Sequence, residues 1–238
     1  MSVVSGVPDR TAAPEILKNL RQIRAIIDRC LVLASRSAFM NTLVLLAVSF
    51  VTAVMLTGLL RTAALHIGFL DKPVARSSHS TPTPLGGGFA VVFLVFIASA
   101  YAFYVGQLEK GFFLSLFGAY AVAAVGLIDD WKNVHAIWRI PLHFGAALWS
   151  LFWLGEIPAL DFGLFTILNQ SVLIPLALLA LVWLTNLFNF MDGIDGLAGS
   201  ELFFVTSFSL VAGFSGMDSG RSELLTVACA SAAGFLVW

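Results

Sequence analysis

The chain has 238 residues, of which 59% are hydrophobic and only 11% charged, with a formal net charge of −1. A soluble domain carries about a quarter of its residues charged. That excludes a soluble globular fold, and a mean hydropathy of +0.93 points to an all-α, polytopic membrane protein. The net charge decides little, because the charges are confined to loops and the N-terminal tail, and no nucleic-acid partner is expected.

Residues 1–39 form a polar N-terminal extension. It holds Arg10, Lys18, Arg21, Arg24, Arg29 and Arg36, six of the thirteen Lys and Arg. Within it Ile16, Leu17, Leu20, Ile23, Ile27 and Leu31 fall at helical spacing, which predicts an amphipathic surface helix over 14–33. No cleavable signal peptide is expected from so polar a start. The membrane domain is expected over 40–238. Its apolar runs predict seven spans, at about 39–60, 89–105, 112–128, 140–154, 171–185, 202–214 and 224–238. They are read as helices because a segment in lipid must satisfy its own backbone hydrogen bonds. The connections are a long polar loop at 71–88, a short turn at 106–111 and a loop at 155–170 without basic residues. Cys30 and Cys229 share no metal or disulfide motif.

Basic residues in short loops set the orientation. Arg61, Lys72, Arg76, Lys132 and Arg139 fall on one side, Lys110 and Arg221 on the other. The first side is expected to face the cytoplasm. An odd number of spans then places the basic tail outside. A natural start of translation at Met40 would reconcile the two, and N-terminal sequencing of the native protein decides it.

Three polar constellations share the basic side. The segment Asn186-Leu187-Phe188-Asn189-Phe190-Met191-Asp192-Gly193-Ile194-Asp195-Gly196-Leu197-Ala198-Gly199-Ser200 packs two amides, two carboxylates and three glycines behind an apolar run. Asn186, Asn189, Asp192 and Asp195 recur every three residues, along one face if helical. Such groups can read a nucleobase or sugar edge, or support a metal. Its plainer reading is a polar turn. Asp129 and Asp130 end an apolar helix, with Lys132 close behind. Adjacent carboxylates point about 100° apart, and their hard oxygens suit Mg²⁺ held together with substrate phosphates; a solvated helix end is the alternative. The loop at 71–88 offers Lys72, Arg76 and His79 before Gly86-Gly87-Gly88. Cations beside a Gly-rich helix start make an anion site, although the glycines alone would also serve as a hinge. His135 and His143 are weaker candidates, each a single His near a helix start.

These motifs resemble the polyprenyl-phosphate N-acetylhexosamine-1-phosphate transferases. The match rests on DKPVARSSHSTPTPLGGG at 71–88, GLIDDWKN at 126–133 and NLFNFMDGIDGLAGS at 186–200. The resemblance implies about ten spans in a bacterial inner membrane, a cytoplasmic active site and Mg²⁺, with Mn²⁺ as its substitute. It implies a UDP-N-acetylhexosamine donor and an undecaprenyl phosphate acceptor whose phosphate attacks the sugar-linked phosphate, releasing UMP and initiating cell-wall or O-antigen (lipopolysaccharide) synthesis. It makes Asp129 and Asp130 the catalytic and metal pair, and Asn186, Asn189, Asp192 and Asp195 the nucleotide-sugar site, with Lys72, Arg76, His79 and Lys132 as further substrate contacts. A homodimer is compatible with it. Val74 departs from the family's usual Asn. The family continues past the seventh span with a further Asp ligand for Mg²⁺ and a His/Arg loop, whereas this sequence stops at Trp238. The 238 residues alone are therefore expected to be inactive or nearly so. The competing reading is a transporter or channel using membrane carboxylates, which would place its acids near the bilayer midplane rather than at the span ends.

Overall fold

The computed structural model describes the backbone of residues 12–71, 82–132, 134–191, 196–213 and 217–238, with side chains from Met40 onward except residue 136. Among these residues the chain forms seven helices: α1 (Ala12–Ile67), α2 (Phe89–Tyr104), α3 (Lys110–Lys132), α4 (Ala136–Leu154), α5 (Gln170–Met191), α6 (Leu197–Gly213) and α7 (Ser219–Phe235). Met40–Ile67, Lys110–Lys132 and Gln170–Met191 are long and apolar enough to cross a bilayer, and α2 and α6 are shorter apolar helices. The protein is an all-α polytopic membrane protein.

Two compact units divide the chain, Met1–Val44 and Leu45–Trp238. From Ala12 the first is continuous helix. The expected surface helix and first span are thus one element. No Gly or Pro lies between Pro14 and Gly58, so nothing in the sequence breaks the backbone ladder.

In the second unit the most buried helix is α7. Ser231 and Ala232 are wholly buried, and Val227, Cys229 and Ala230 nearly so. The reason is small side chains. A Cβ on Gly234 would lie 2.7 Å from both Ala53 Cβ and Phe50 O, so α7 and α1 meet backbone to backbone. Lipid offers no hydrophobic force between helices, and close approach of this kind is what holds them. Trp238 adds a clasp: its Nε1 donates to Val54 O at 2.9 Å, and the Arg61 guanidinium lies 5.6 Å from its ring centroid. On α6, Ser207 Oγ sits 3.2 Å from Cys229 Sγ of α7.

Side-chain hydrogen bonds tie α2, α3 and α4 together. Ser99 Oγ and Tyr120 OH are 2.8 Å apart. Trp149 Nε1 donates to Leu114 O, and Ser150 Oγ to Ser115 O, each at 2.8 Å. At their closest approach Gly118 of α3 faces Ser150 and the Ala146 carbonyl of α4.

Two small ladders lie between helices. β1 (Leu70–Asp71) pairs antiparallel with β2 (Thr83–Pro84), closing the base of the loop that carries the basic motif. β3 (Leu160–Asp161) pairs with β4 (Thr166–Ile167) in the connection from α4 to α5. Neither ladder was expected, since a two-residue strand leaves no alternation to read.

Candidate active site

A cleft of about 530 Å³ opens among α2, α3, α4, α5 and α6. Val92, Val122, Leu181, Leu184 and Phe188 supply apolar walls. Its polar groups are Asp129, Arg139, His143, Thr185 and Asn189. An apolar trough ending in a few polar groups is the usual build of a small-molecule site.

Asp129 stands in the last turn of α3. A carboxylate there opposes the helix dipole, and the compensating cation is Arg139, whose Nη1 donates to Asp129 Oδ2 at 2.5 Å. The two side chains are 26% and 20% exposed, so the pair is partly shielded from water. Arg139 lies in the first turns of α4, not in a loop before it, because His135 starts that helix early by accepting from Ile137 N. One turn further on, His143 is only 6% exposed. Its Nδ1 is buried without a hydrogen-bond partner, while the Asn186 side chain hydrogen-bonds the ring and the Arg139 charge acts on it.

From α5, Asn189 reaches the cleft. Asn186, one turn earlier, is turned toward its own helix, its Nδ2 donating to Val182 O at 2.7 Å. Both belong to α5, which ends at Met191; α6 begins at Leu197, after Gly196 at φ +72°. The described parts of the polar segment are therefore the last turns of α5 and the start of α6, which Gly196 opens from the left-handed region.

The structure thus brings Asp129 and Asn189 into one cleft, with Asn186 beside it. Asp130 is exposed, turned away from Asp129 by the helical step, and Lys132 is exposed beyond it; neither lines the cleft. Lys72, Arg76, His79, Asp192 and Asp195 lie outside the described residues. Among the described residues no group of three His, Cys, Asp or Glu side chains comes together as a metal site.

Sequence reasoning missed Arg139 and undervalued His143. The signal was present: a cation and an imidazole four residues apart in an apolar helix share one face, and ionisable groups in such helices rarely lack a task. Glu201 of α6 is a further case, its Oε2 buried without a partner.

An unpaired buried nitrogen costs about 1–3 kcal/mol. His143→Leu is therefore expected to leave the thermal midpoint unchanged or raise it by roughly 2–4 °C. A clear fall, measured in detergent, would show that the bond to the Asn186 side chain outweighs the unpaired Nδ1.

Residues 112–238 match glycosyl transferase family 4. The probable undecaprenyl-phosphate N-acetylglucosaminyl 1-phosphate transferase of Bacillus subtilis is 28% identical over 196 residues, covering 80% of this chain and 53% of that protein. The decaprenyl-phosphate N-acetylglucosaminephosphotransferase of Mycobacterium tuberculosis is 33% identical over 160 residues, 60% of this chain and 38% of its own length. Its counterpart in Mycobacterium leprae is 32% identical over 156 residues, with the same shares of the two chains. The chain spans about half the length of these curated relatives, or less. With its family-defining stretch running from α3 to α7, the chain belongs to glycosyl transferase family 4.

Proposed function

We propose that this chain forms part of a polyprenyl-phosphate N-acetylhexosamine-1-phosphate transferase, working at the cytoplasmic face of a bacterial inner membrane. The observation that carries this reading is the cleft itself: apolar walls lead to an Asp129–Arg139 pair beside Asn189. Such a cleft suits an isoprenoid lipid at one end and a phosphorylated donor at the other. The names of the relatives support it.

In the reaction a lipid-phosphate oxygen attacks the sugar-linked phosphorus of a UDP-N-acetylhexosamine. A new P–O bond forms, the diphosphate P–O bond breaks, and UMP leaves with the electron pair. Because the attacking phosphate is already anionic, the protein has mainly to position and to balance charge. Arg139, oriented by Asp129, offers a planar cation to phosphate oxygens. Asn189 and Asn186 hold the donor's sugar or base. Asp129 would hold Mg²⁺ or Mn²⁺ from inside the cleft, with water and phosphates as the remaining ligands; Asp130 is turned away from Asp129 and does not line the cleft. When bound, that ion neutralises and aligns the donor's phosphates. The product would enter cell-wall or O-antigen assembly.

The site's position disfavours transport. Asp129 and Asp130 stand in the last turn of a 23-residue helix, not near its middle. In membranes holding the protein that carries this sequence, label from UDP-N-acetylglucosamine should become lipid-extractable as UMP appears. Asp129→Asn should lower both at least about 100-fold, a loss of some 2.7 kcal/mol of charge stabilisation. Label transfer unchanged in that variant would refute the reading.

A further inference from the structure

The connection from α4 to α5 is built to point apolar side chains away from the protein. β3 and β4 form a hairpin whose four-residue tip, Phe162 to Phe165, is fixed internally. Phe162 N donates to Phe165 O at 3.0 Å. Asp161 Oδ1 accepts from Gly163 N at 2.8 Å and from Thr166 Oγ1 at 3.3 Å, and Gly163 takes the φ of +76° that the turn requires. The rings of Phe162 and Phe165 stack with centroids 5.0 Å apart. The hairpin base is clasped to α5 as well: Gln170 Oε1 accepts from Ile157 N, and its Nε2 donates to Ile157 O at 2.8 Å.

The side chains this frame presents are Phe162, Leu164, Phe165 and Leu168. Leu164 is 96% exposed and Leu168 70%. A chain that hides its polar groups with such care in this loop leaves its apolar ones bare. In water this would be an unfavourable arrangement.

Helix lengths say where the hairpin sits. α4 has 19 residues, about 28 Å at 1.5 Å per residue, close to the roughly 30 Å hydrocarbon core of a bilayer. Arg139 lies at its first turns and the hairpin follows its last. α5 has 22 residues and repeats the measure: it leaves the hairpin at Gln170 and delivers Asn189 to the cleft. The hairpin therefore stands at the opposite membrane boundary from the candidate site, joined directly to a helix that crosses.

We infer that the hairpin at residues 156–169 is an interfacial anchor, whose Phe162, Leu164, Phe165 and Leu168 insert into the leaflet opposite the catalytic cleft. Two observations favour lipid over a protein partner. The exposed patch is four side chains of one hairpin, on the order of 600 Å², less than the roughly 800 Å² per partner of a stable protein interface. And it begins where a membrane-crossing helix begins, so lipid is already its neighbour. The segment contains Glu156 and Asp161 and no Lys or Arg. Insertion is therefore driven by apolar contact and not by anionic head groups.

The inference is independent of the transfer reaction, and so is its test. Leu164→Cys, in the full protein with Cys30→Ser and Cys229→Ser, is labelled with an environment-sensitive fluorophore and reconstituted into phosphatidylcholine vesicles. Emission should be blue-shifted, quenched at least two-fold by lipids brominated near the head group, and insensitive to aqueous iodide. Adding phosphatidylglycerol should change none of this. A label on Glu109→Cys, in the exposed turn between α2 and α3 on the same side, should be quenched by iodide instead. Phe165→Cys provides a second reporter should the first variant not insert. Iodide quenching of the hairpin label to the level of the Glu109 position overturns the inference. So does a label shielded from iodide but untouched by brominated lipid, which would mark a protein cover such as a second copy.

Discussion

Replacing Arg139 with methionine is expected to lower kcat/KM for sugar-phosphate transfer by about 10- to 100-fold. A hydrogen bond between charged groups contributes roughly 1.5–3 kcal/mol, and each 1.36 kcal/mol is a factor of ten in rate. The pair to Asp129 is only partly shielded, so the lower half of that range applies as salt rises. Methionine keeps the length and apolar stem of the side chain, and the loss is then of charge and not of packing. Arg139→Lys should fall between, since an ammonium keeps the charge and loses the planar fork. The exchange Asp129→Arg with Arg139→Asp separates structure from chemistry. It restores an ion pair and should recover thermal stability without recovering transfer. Recovery of both would show that the pair only braces α3 against α4, and an Arg139→Met enzyme within two-fold of the parent would remove Arg139 from the site.

Gly118→Leu should give the largest loss of stability. Any Cβ at this position runs into Ser150 Oγ and the Ala146 carbonyl, and a backbone carbonyl in mid-helix cannot step aside. Overpacking of this kind costs about 1–3 kcal/mol, seen as a fall of roughly 5–10 °C in thermal midpoint. Activity should fall with it, because separating α3 from α4 pulls Asp129 from Arg139. Gly145 of α4 is the control, because a Cβ added there would meet nothing within 4 Å. Gly145→Ala should be neutral or stabilising by up to about 1 kcal/mol. Equal midpoints for the two variants would contradict the packing described for α3 and α4.

Much of this was legible in the sequence, for identifiable reasons. Long apolar runs announce spans wherever lipid is the solvent: α2, α3 and α5 begin within two residues of their expected starts, and α4, α6 and α7 within five. Asp129 and Asn189 were legible because carboxylates and amides have no business beside apolar runs unless a site uses them. The continuity of α1 was missed because an amphipathic stretch and an apolar stretch look like two elements, although both are helical and nothing parts them. Arg139 and His143 were underrated because their value is tertiary. It appears only when α4 folds back along α3 and sets both side chains against residues ten and more positions away in the chain. The hairpin was invisible for the opposite reason, its order residing in single side-chain bonds such as those of Asp161 and Gln170 and not in any repeating pattern.

The clasp between Trp238 and Val54 joins residues 184 positions apart, and the small-residue seam between α7 and α1 is nearly as distant. At a synthesis rate of about 5–20 residues per second, the first span must wait roughly 10–40 s for its partner to emerge. The first helix is thus threaded early and gains this contact only after the 184 residues that separate the two partners have been made.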